Sequence, residues 1–261
     1  MTEINLRARN SALFNLSGAR VTIIGCGAIG SFTASTLARM GVTFFTLFDE
    51  DTVGPENIGV QDFTIHQLTD PKVKSVLQNI KSINPLADVN TFTVNVKEEN
   101  SRALTSGVYR RDYQEVTGQI TDIVVMAVDS MKARMEIIQH SSFRSTRDTH
   151  EQRDHRFCKN SYFFDARMGS ETFQLYKFKM PFTVDEYLKT WYSDEDGDPE
   201  PCSARSTAYC STFAGSIIAS EIKKCVSGGM VAEKIIFGFP SLLLDAEIDY
   251  TKVVEDLESS S

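Results

Sequence analysis

Apolar residues in the first part of the chain come in two short blocks. Ala19-Arg-Val-Thr-Ile-Ile-Gly25 is β-branched and stops at glycine; Val42-Thr-Phe-Phe-Thr-Leu-Phe48 stops at the acidic group Asp49-Glu50-Asp51. Short continuous runs of this kind predict strands buried on both faces, as in a parallel sheet. Between them, Ala28–Met40 has helix-compatible spacing and is stopped by Gly41. Strand, helix and strand make a βαβ unit, whose crossover is almost always right-handed. Residues 51–70 form a polar loop with Gly54 and Pro55, and a loop this long in a compact domain is usually functional. A helix is predicted over Pro71–Ile83, with proline at its start.

Strands follow at Asp88–Val94 and Ile120–Ala127, then a helix from about Met131. Residues 144–157 are charged and nearly devoid of aliphatic side chains, which suits an exposed loop. Two strands around 161–166 and 171–179 are linked hairpin-fashion by Met168-Gly169-Ser170, so the sheet is expected to turn antiparallel there. A second polar stretch, 193–206, contains the acidic run 194–198. A helix over Thr207–Val226 ends at Gly228-Gly229, and strands at Lys234–Phe239 and Ser241–Asp245 complete the pattern. The expected fold is α/β: a Rossmann-like doubly wound, mostly parallel sheet, extended by antiparallel strands in the C-terminal half.

Composition narrows the function classes. With 41% hydrophobic and 24% charged residues, the chain of 261 residues is neither disordered nor fibrous. Its 27 basic and 35 acidic residues give a formal charge of −8, a poor basis for binding a phosphate backbone, so no nucleic-acid partner is expected. No apolar run reaches the roughly 18 residues of a membrane span, and the N-terminus lacks the apolar core of a signal peptide. Five cysteines without a C-x-x-C pair argue against a disulfide scaffold or a paired-thiolate zinc site. Free thiols and a cytoplasmic location are therefore expected.

The first candidate site is Gly25-Cys26-Gly27-Ala28-Ile29-Gly30, a G-x-G-x-x-G between a predicted strand and helix. The first glycine permits a tight turn, the second lets backbone amides approach a phosphate, and the third allows close helix–strand packing. The helix N-terminus adds partial positive charge. Asp49, nineteen residues past Gly30 at the tip of the second strand, can accept bonds from ribose hydroxyls. A bound nucleotide is expected.

The stretch from Asp49-Glu-Asp51-Thr-Val-Gly-Pro-Glu-Asn57-Ile-Gly-Val60-Gln61 to Pro71-Lys72 resembles the ThiF/MoeB-type adenylyltransferases, relatives of the ubiquitin-activating enzymes. Their pattern is roughly D-x-D-x-V-x-x-x-N-L-x-R-Q, then a lysine opening the next helix. Val128-Asp129-Ser130 with Arg134 matches the family's T-D-N and following arginine; Arg167-Met168 and Cys202 also fall at family positions. The resemblance implies a single adenylation domain over 1–261. Its parts would be an arm (1–18), a nucleotide-binding half (19–143), a partner-binding half with mobile loops (144–250) and a frayed tail (251–261).

The activity implied is ATP-dependent activation of the C-terminal carboxylate of a ubiquitin-like or sulfur-carrier protein with a glycine tail. The acyl-adenylate and pyrophosphate would be the products. Attack of a carboxylate on a phosphate brings negative charge onto negative charge, so fixed cations and in-line positioning matter most. By resemblance Lys72 and an arginine supply positive charge, Asp129 holds Mg²⁺, Asp49 takes the ribose, and Asn57 and Gln61 contact the phosphates. Asp51 is divided between a site role and loop structure.

Lys72 could otherwise be a helix-surface lysine like Lys74 and Lys81, Asp129 an N-cap, and Asn57 and Gln61 loop-stabilising amides. Val60 stands where the family has arginine; Arg7 or Arg9 is the candidate replacement, which in the family reaches a neighbouring subunit and so implies a homodimer. Ser130 replaces the family's Asn, and its zinc-binding cysteine pairs are absent. Cys202, shortly before a helix and near Arg205, is open between nucleophile and packing residue; Cys26 reads as packing. Two rival readings use the same glycine loop: an NAD-dependent oxidoreductase, and a catalytically idle subunit of a split activating enzyme.

Overall fold

A computed structural model of the chain describes residues 11–94, 121–140, 161–193 and 206–248. Arg7, Arg9, Cys158, Cys202, the loop 144–157, the acidic run and the C-terminal tail lie outside these residues.

The elements run β1 (Ala19–Ile24), α1 (Ala28–Arg39), β2 (Phe44–Phe48), α2 (Lys72–Ile83), β3 (Asp88–Phe92), β4 (Thr121–Met126) and α3 (Met131–His140). After them come β5 (Tyr162–Met168), β6 (Thr172–Lys179), α4 (Val184–Leu188), α5 (Ala208–Ser227), β7 (Lys234–Gly238) and β8 (Leu243–Glu247). One sheet holds all eight strands in the order β3-β2-β1-β4-β5-β6-β7-β8. The pairs β3–β2, β2–β1, β1–β4 and β4–β5 are parallel; β5–β6, β6–β7 and β7–β8 are antiparallel. The sheet reverses direction after β5, where the Gly169 N–H donates to the Thr172 carbonyl at 3.0 Å and closes the hairpin.

Alternation along the strands divides the core between the two faces. Val21, Ile23, Phe45, Leu47, Ile123 and Val125 pack with Leu37 of α1, Val76 of α2 and Ile218 and Ile222 of α5. Ile24, Phe48, Val124 and Met126 point the other way, onto Ile137 and Ile138 of α3 and Tyr187 of α4. That is the doubly wound arrangement. The helices α1 and α5 approach closely because Gly215 has no side chain: a Cβ there would lie 2.9 Å from backbone atoms of Phe32 and Thr33.

Where boundaries differ from the sequence reading, local chemistry accounts for it. The last strand begins at Leu243, two residues late, because Leu242 takes a left-handed φ of 50° and extends the turn after β7. The five-residue α4 was not predicted; it is too short to show periodicity, but Thr183 and Glu186 form a reciprocal capping box at its start.

Candidate nucleotide-binding site

The sheet order makes the crevice between β1 and β4 the place where successive connections leave in opposite directions, and ligands of open α/β sheets bind there. The glycine loop lies at its mouth. Gly25 has φ +94°, and a Cβ on it would sit 2.6 Å from the Ala127 carbonyl oxygen. Only glycine lets the β1 tip close on the β4 tip in this way. A Cβ on Gly30 would run into the Gly25 carbonyl oxygen, so the third glycine lets α1 start hard against the strand. Gly27 is the open one: its nearest neighbour is the Gln61 amide, 4.0 Å from where a Cβ would be.

Gln61 Oε1 is buried and has no hydrogen-bond partner among the described residues. An orphaned buried amide oxygen costs about 1–3 kcal/mol, and the N–H₂ end of the same amide, equally close to Gly27, is the donor a phosphate oxygen would take. Together with the open face of Gly27, this fits the phosphate chain of a nucleotide.

The two aspartates after β2 have different surroundings. The Cys26 N–H donates to Asp49 Oδ2 at 2.6 Å and the Asp51 N–H to Oδ1 at 2.9 Å. Burial raises the Asp49 pKa, while the Lys72 charge and these two amides pull against that rise. Each Asp49 oxygen accepts one backbone amide and keeps a second acceptor site, so holding the glycine loop is compatible with the ribose role expected for Asp49. Spacing locates a carboxylate at the strand tip but not the amides that turn towards it. Asp51 is the exposed carboxylate, 62% accessible, and its Oδ2 accepts from Lys72 Nζ at 2.8 Å.

Lys72 is not a surface lysine: its side chain is 10% accessible, and its backbone N–H donates to the Asp51 carbonyl at 2.9 Å. Lys74, one turn position on, is the solvated kind, paired with Asp70 at 3.1 Å in i,i+4 fashion. Asn57 serves the loop, its Oδ1 accepting the Gly54 N–H at 2.8 Å. The loop is itself folded and docked. Val53 and Thr69 exchange backbone bonds with Asp70 and Val53, each at 2.9 Å, and the Asp62 N–H donates to Ser31 Oγ of α1 at 3.0 Å. Val60, in place of the family's arginine, is half-buried on this loop.

Asp129 stands on the opposite lip, just past β4. The N-cap of α3 is Ser130, whose Oγ accepts the Ala133 N–H at 3.1 Å; Asp129 is exposed and its carboxylate has no partner among the described residues. Among those residues no cluster of three His, Cys, Asp or Glu side chains could hold a metal alone. A lone carboxylate beside a phosphate cradle suits a hard ion that draws its other ligands from phosphate and water.

The cysteines described here are buried free thiols: Cys26, Cys210 and Cys225. Burial, reinforced by Asp49, pushes the Cys26 thiol well up, and burial pushes Cys225 up to about 12. Neither is a nucleophile near neutrality.

Arg134 and Arg167 fall at the family positions noted in the sequence, but the carboxylate that joins them escaped the sequence reading. Asp165 in β5 is fully buried and accepts from Arg134 Nη1 through Oδ1. Its Oδ2 accepts from Arg167 Nε at 2.9 Å, Arg167 Nη2 at 2.6 Å and the Tyr187 hydroxyl at 2.9 Å. The signal was present: two charges, two residues apart, in the otherwise apolar strand Tyr162–Met168.

A doubly wound domain with a glycine loop, a buried lysine and carboxylates on both lips of its switch point defines a nucleotide-binding α/β protein. The ThiF family model matches residues 5–236, and the chain belongs to the ThiF family. Over 118 residues it is 34% identical to ubiquitin-like modifier-activating enzyme 5 of Drosophila virilis, covering 45% of this chain and 29% of that protein. Over 122 residues it is 30% identical to the Arabidopsis thaliana protein of the same name, covering 46% and 28%. The matched region thus spans less than a third of these relatives.

Among solved structures, selenomethionine PaaA superposes with a TM-score of 0.61 at 19% identity, over 89% of this chain and 64% of that one. E. coli MccB with ATP gives 0.61 at 14% identity with the same coverage. E. coli MccB with AMPCPP and selenomethionine MccA gives 0.60 at 13%. These likenesses show the fold, a mixed sheet flanked by helices. No helix among the described residues is long and apolar enough to cross a membrane.

Proposed function

We propose that the chain binds Mg·ATP across the β1–β4 crevice and transfers AMP to the C-terminal carboxylate of a ubiquitin-like or sulfur-carrier protein, or of a peptide. The observation that carries this is an open Gly27, a buried Lys72 and an Asp129 without a partner among the described residues, set about the β1–β4 switch point. The family, relatives named as modifier-activating enzymes and a neighbour solved with ATP support it.

In the reaction a carboxylate oxygen attacks the α-phosphorus, the bond from that phosphorus to the β-bridging oxygen breaks, and pyrophosphate leaves; no proton has to move. Backbone amides of the loop Gly25–Gly30 and the N-terminus of α1 face the phosphates. Asp49 accepts the ribose hydroxyls and also fixes the glycine loop through the Cys26 amide. Asp51 holds Lys72 beside it through Oδ2. Lys72 and the Gln61 amide lie against the phosphate chain, where fixed positive charge lowers the barrier. Asp129 would hold Mg²⁺, which when bound neutralises phosphate charge as a Lewis acid.

Arg7 or Arg9, reaching across a homodimer, replaces the cation lost at Val60. Cys202 is the thiol to test for a later transfer step.

ATP–pyrophosphate exchange dependent on a carboxylate-bearing partner tests the reading. Exchange is expected in the wild type and lost by at least about a hundredfold in Asp129→Ala. Exchange unchanged in that variant would remove Asp129 from the mechanism, and ATP binding without exchange under any partner would favour the idle subunit, the reading suggested by Val60.

A further inference from the structure

The Asp129 carboxylate has no partner among the described residues, but its neighbours are tightly held. On its C-terminal side Ser130 caps α3, and the Ser130 carbonyl accepts the Arg134 N–H at 3.2 Å. On its N-terminal side the Val128 carbonyl accepts from Arg134 Nη2, which also binds the Ala166 carbonyl of β5 at 2.9 Å. The same guanidinium pairs through Nη1 with Asp165. Arg134 is 4% accessible and Asp165 0%.

One planar fork therefore ties the residue before Asp129 to β5, and a carboxylate saturated by two arginines and a tyrosine holds that fork in orientation. Arg167 anchors the other end: its Nη2 reaches Thr190 Oγ1 at 3.1 Å and its guanidinium lies over the Tyr176 ring at 4.4 Å. Through the Val128 carbonyl the cluster reaches the residue next to Asp129.

We propose that the buried Arg134–Asp165 pair positions Asp129 for the metal-bound triphosphate. The inference rests on the nucleotide reading above and adds to it two positioning residues that touch neither nucleotide nor metal. Among the described residues Asp129 has no side-chain partner to aim it, so its aim comes from the backbone on either side. Relaxing the Val128 carbonyl swings the carboxylate away while the glycine loop, Asp51 and Lys72 stay in place.

The test is calorimetric titration of the full chain with ATP, once with Mg²⁺ and once with EDTA, alongside the thermal midpoint. Wild type is expected to bind ATP more tightly with Mg²⁺, and Asp129→Ala to lose that increment. Arg134→Lys keeps a charge for Asp165 but cannot hold two carbonyls as well. It is expected to lose most of the increment, about ten- to a hundredfold as for an outer-shell partner, with metal-free affinity within about twofold of wild type. The double variant Asp129→Ala/Arg134→Lys should bind Mg·ATP no more weakly than Asp129→Ala alone. Asp165→Asn should behave like Arg134→Lys; if it does not fold, Arg134→Lys carries the test.

An Arg134→Lys protein that keeps the Mg²⁺ increment overturns the proposal. So do equal losses with and without Mg²⁺, which mean a merely structural role, and an additive double variant. A wild type that binds ATP with no Mg²⁺ increment overturns it as well. A wild type that binds no ATP at all sinks the nucleotide reading instead, and the positioning role with it.

Discussion

Asp49 and Asp51 are two residues apart and have opposite surroundings because two backbone amides turn toward the first. Asp49→Asn keeps the shape but offers one acceptor to two N–H groups, so unfolding in urea is expected to show a loss of about 1–3 kcal/mol. Asp51→Asn, at an exposed position, should cost under about 1 kcal/mol while weakening ATP binding about tenfold in the same titration. The pH dependence marks Asp49 further. Asp49 has a folded pKa above its unfolded value. Its contribution to stability is therefore greatest below the ordinary carboxylate range and is lost as pH rises through the raised value. Asp49→Asn should flatten stability against pH just above that ordinary range. No reading of one sequence could separate these two carboxylates, since their roles depend on where Cys26 N–H points. Asp165 was closer to legible: a charge inside Tyr162–Met168 has to be paired if that strand is buried.

At the scale of elements, the βαβ start, the glycine loop and the antiparallel turn after β5 were legible because each is written locally. They show as a continuous apolar run, glycines at fixed offsets and a short Gly-Ser link. The strand order was not, since β4 inserts beside β1 and leaves β2 and β3 outside, and only long-range pairing decides that. Nor was the contact of α1 with α5, which depends on one residue far along the chain. Gly215 lets the two helices touch, with Phe32 and Thr33 backbone where a side chain would go. Gly215→Val is expected to push α5 outward at a cost of about 1–3 kcal/mol. Because α1 carries the glycine loop at its N-terminus, the same change should weaken ATP binding. Urea unfolding and titration of one protein sample would check both, and a stability loss with unchanged affinity would mean that the loop is held by β1 and β4 alone.

For the whole molecule the question is which nucleotide the fold is built around, since a glycine loop at a switch point serves dinucleotides as readily as ATP. The chain's own chemistry separates the two. A buried lysine paired with an exposed aspartate, with a second carboxylate across the crevice that has no partner among the described residues, concentrates charge where a triphosphate and its metal would lie. A ligand that binds only the folded state raises stability by mass action, by about 2.7 kcal/mol at a hundred times its dissociation constant. For a chain of this size that corresponds to roughly 5–10 °C in the unfolding midpoint. Mg·ATP is therefore expected to raise the midpoint by several degrees and NADH by none, with Lys72→Ala abolishing most of the ATP shift. The lysine's exchange of Asp51 for phosphate makes that shift sensitive to salt, so it should shrink between low and physiological ionic strength. A shift with NADH that survives Lys72→Ala would instead place a dinucleotide in the crevice and return the site to the oxidoreductase reading.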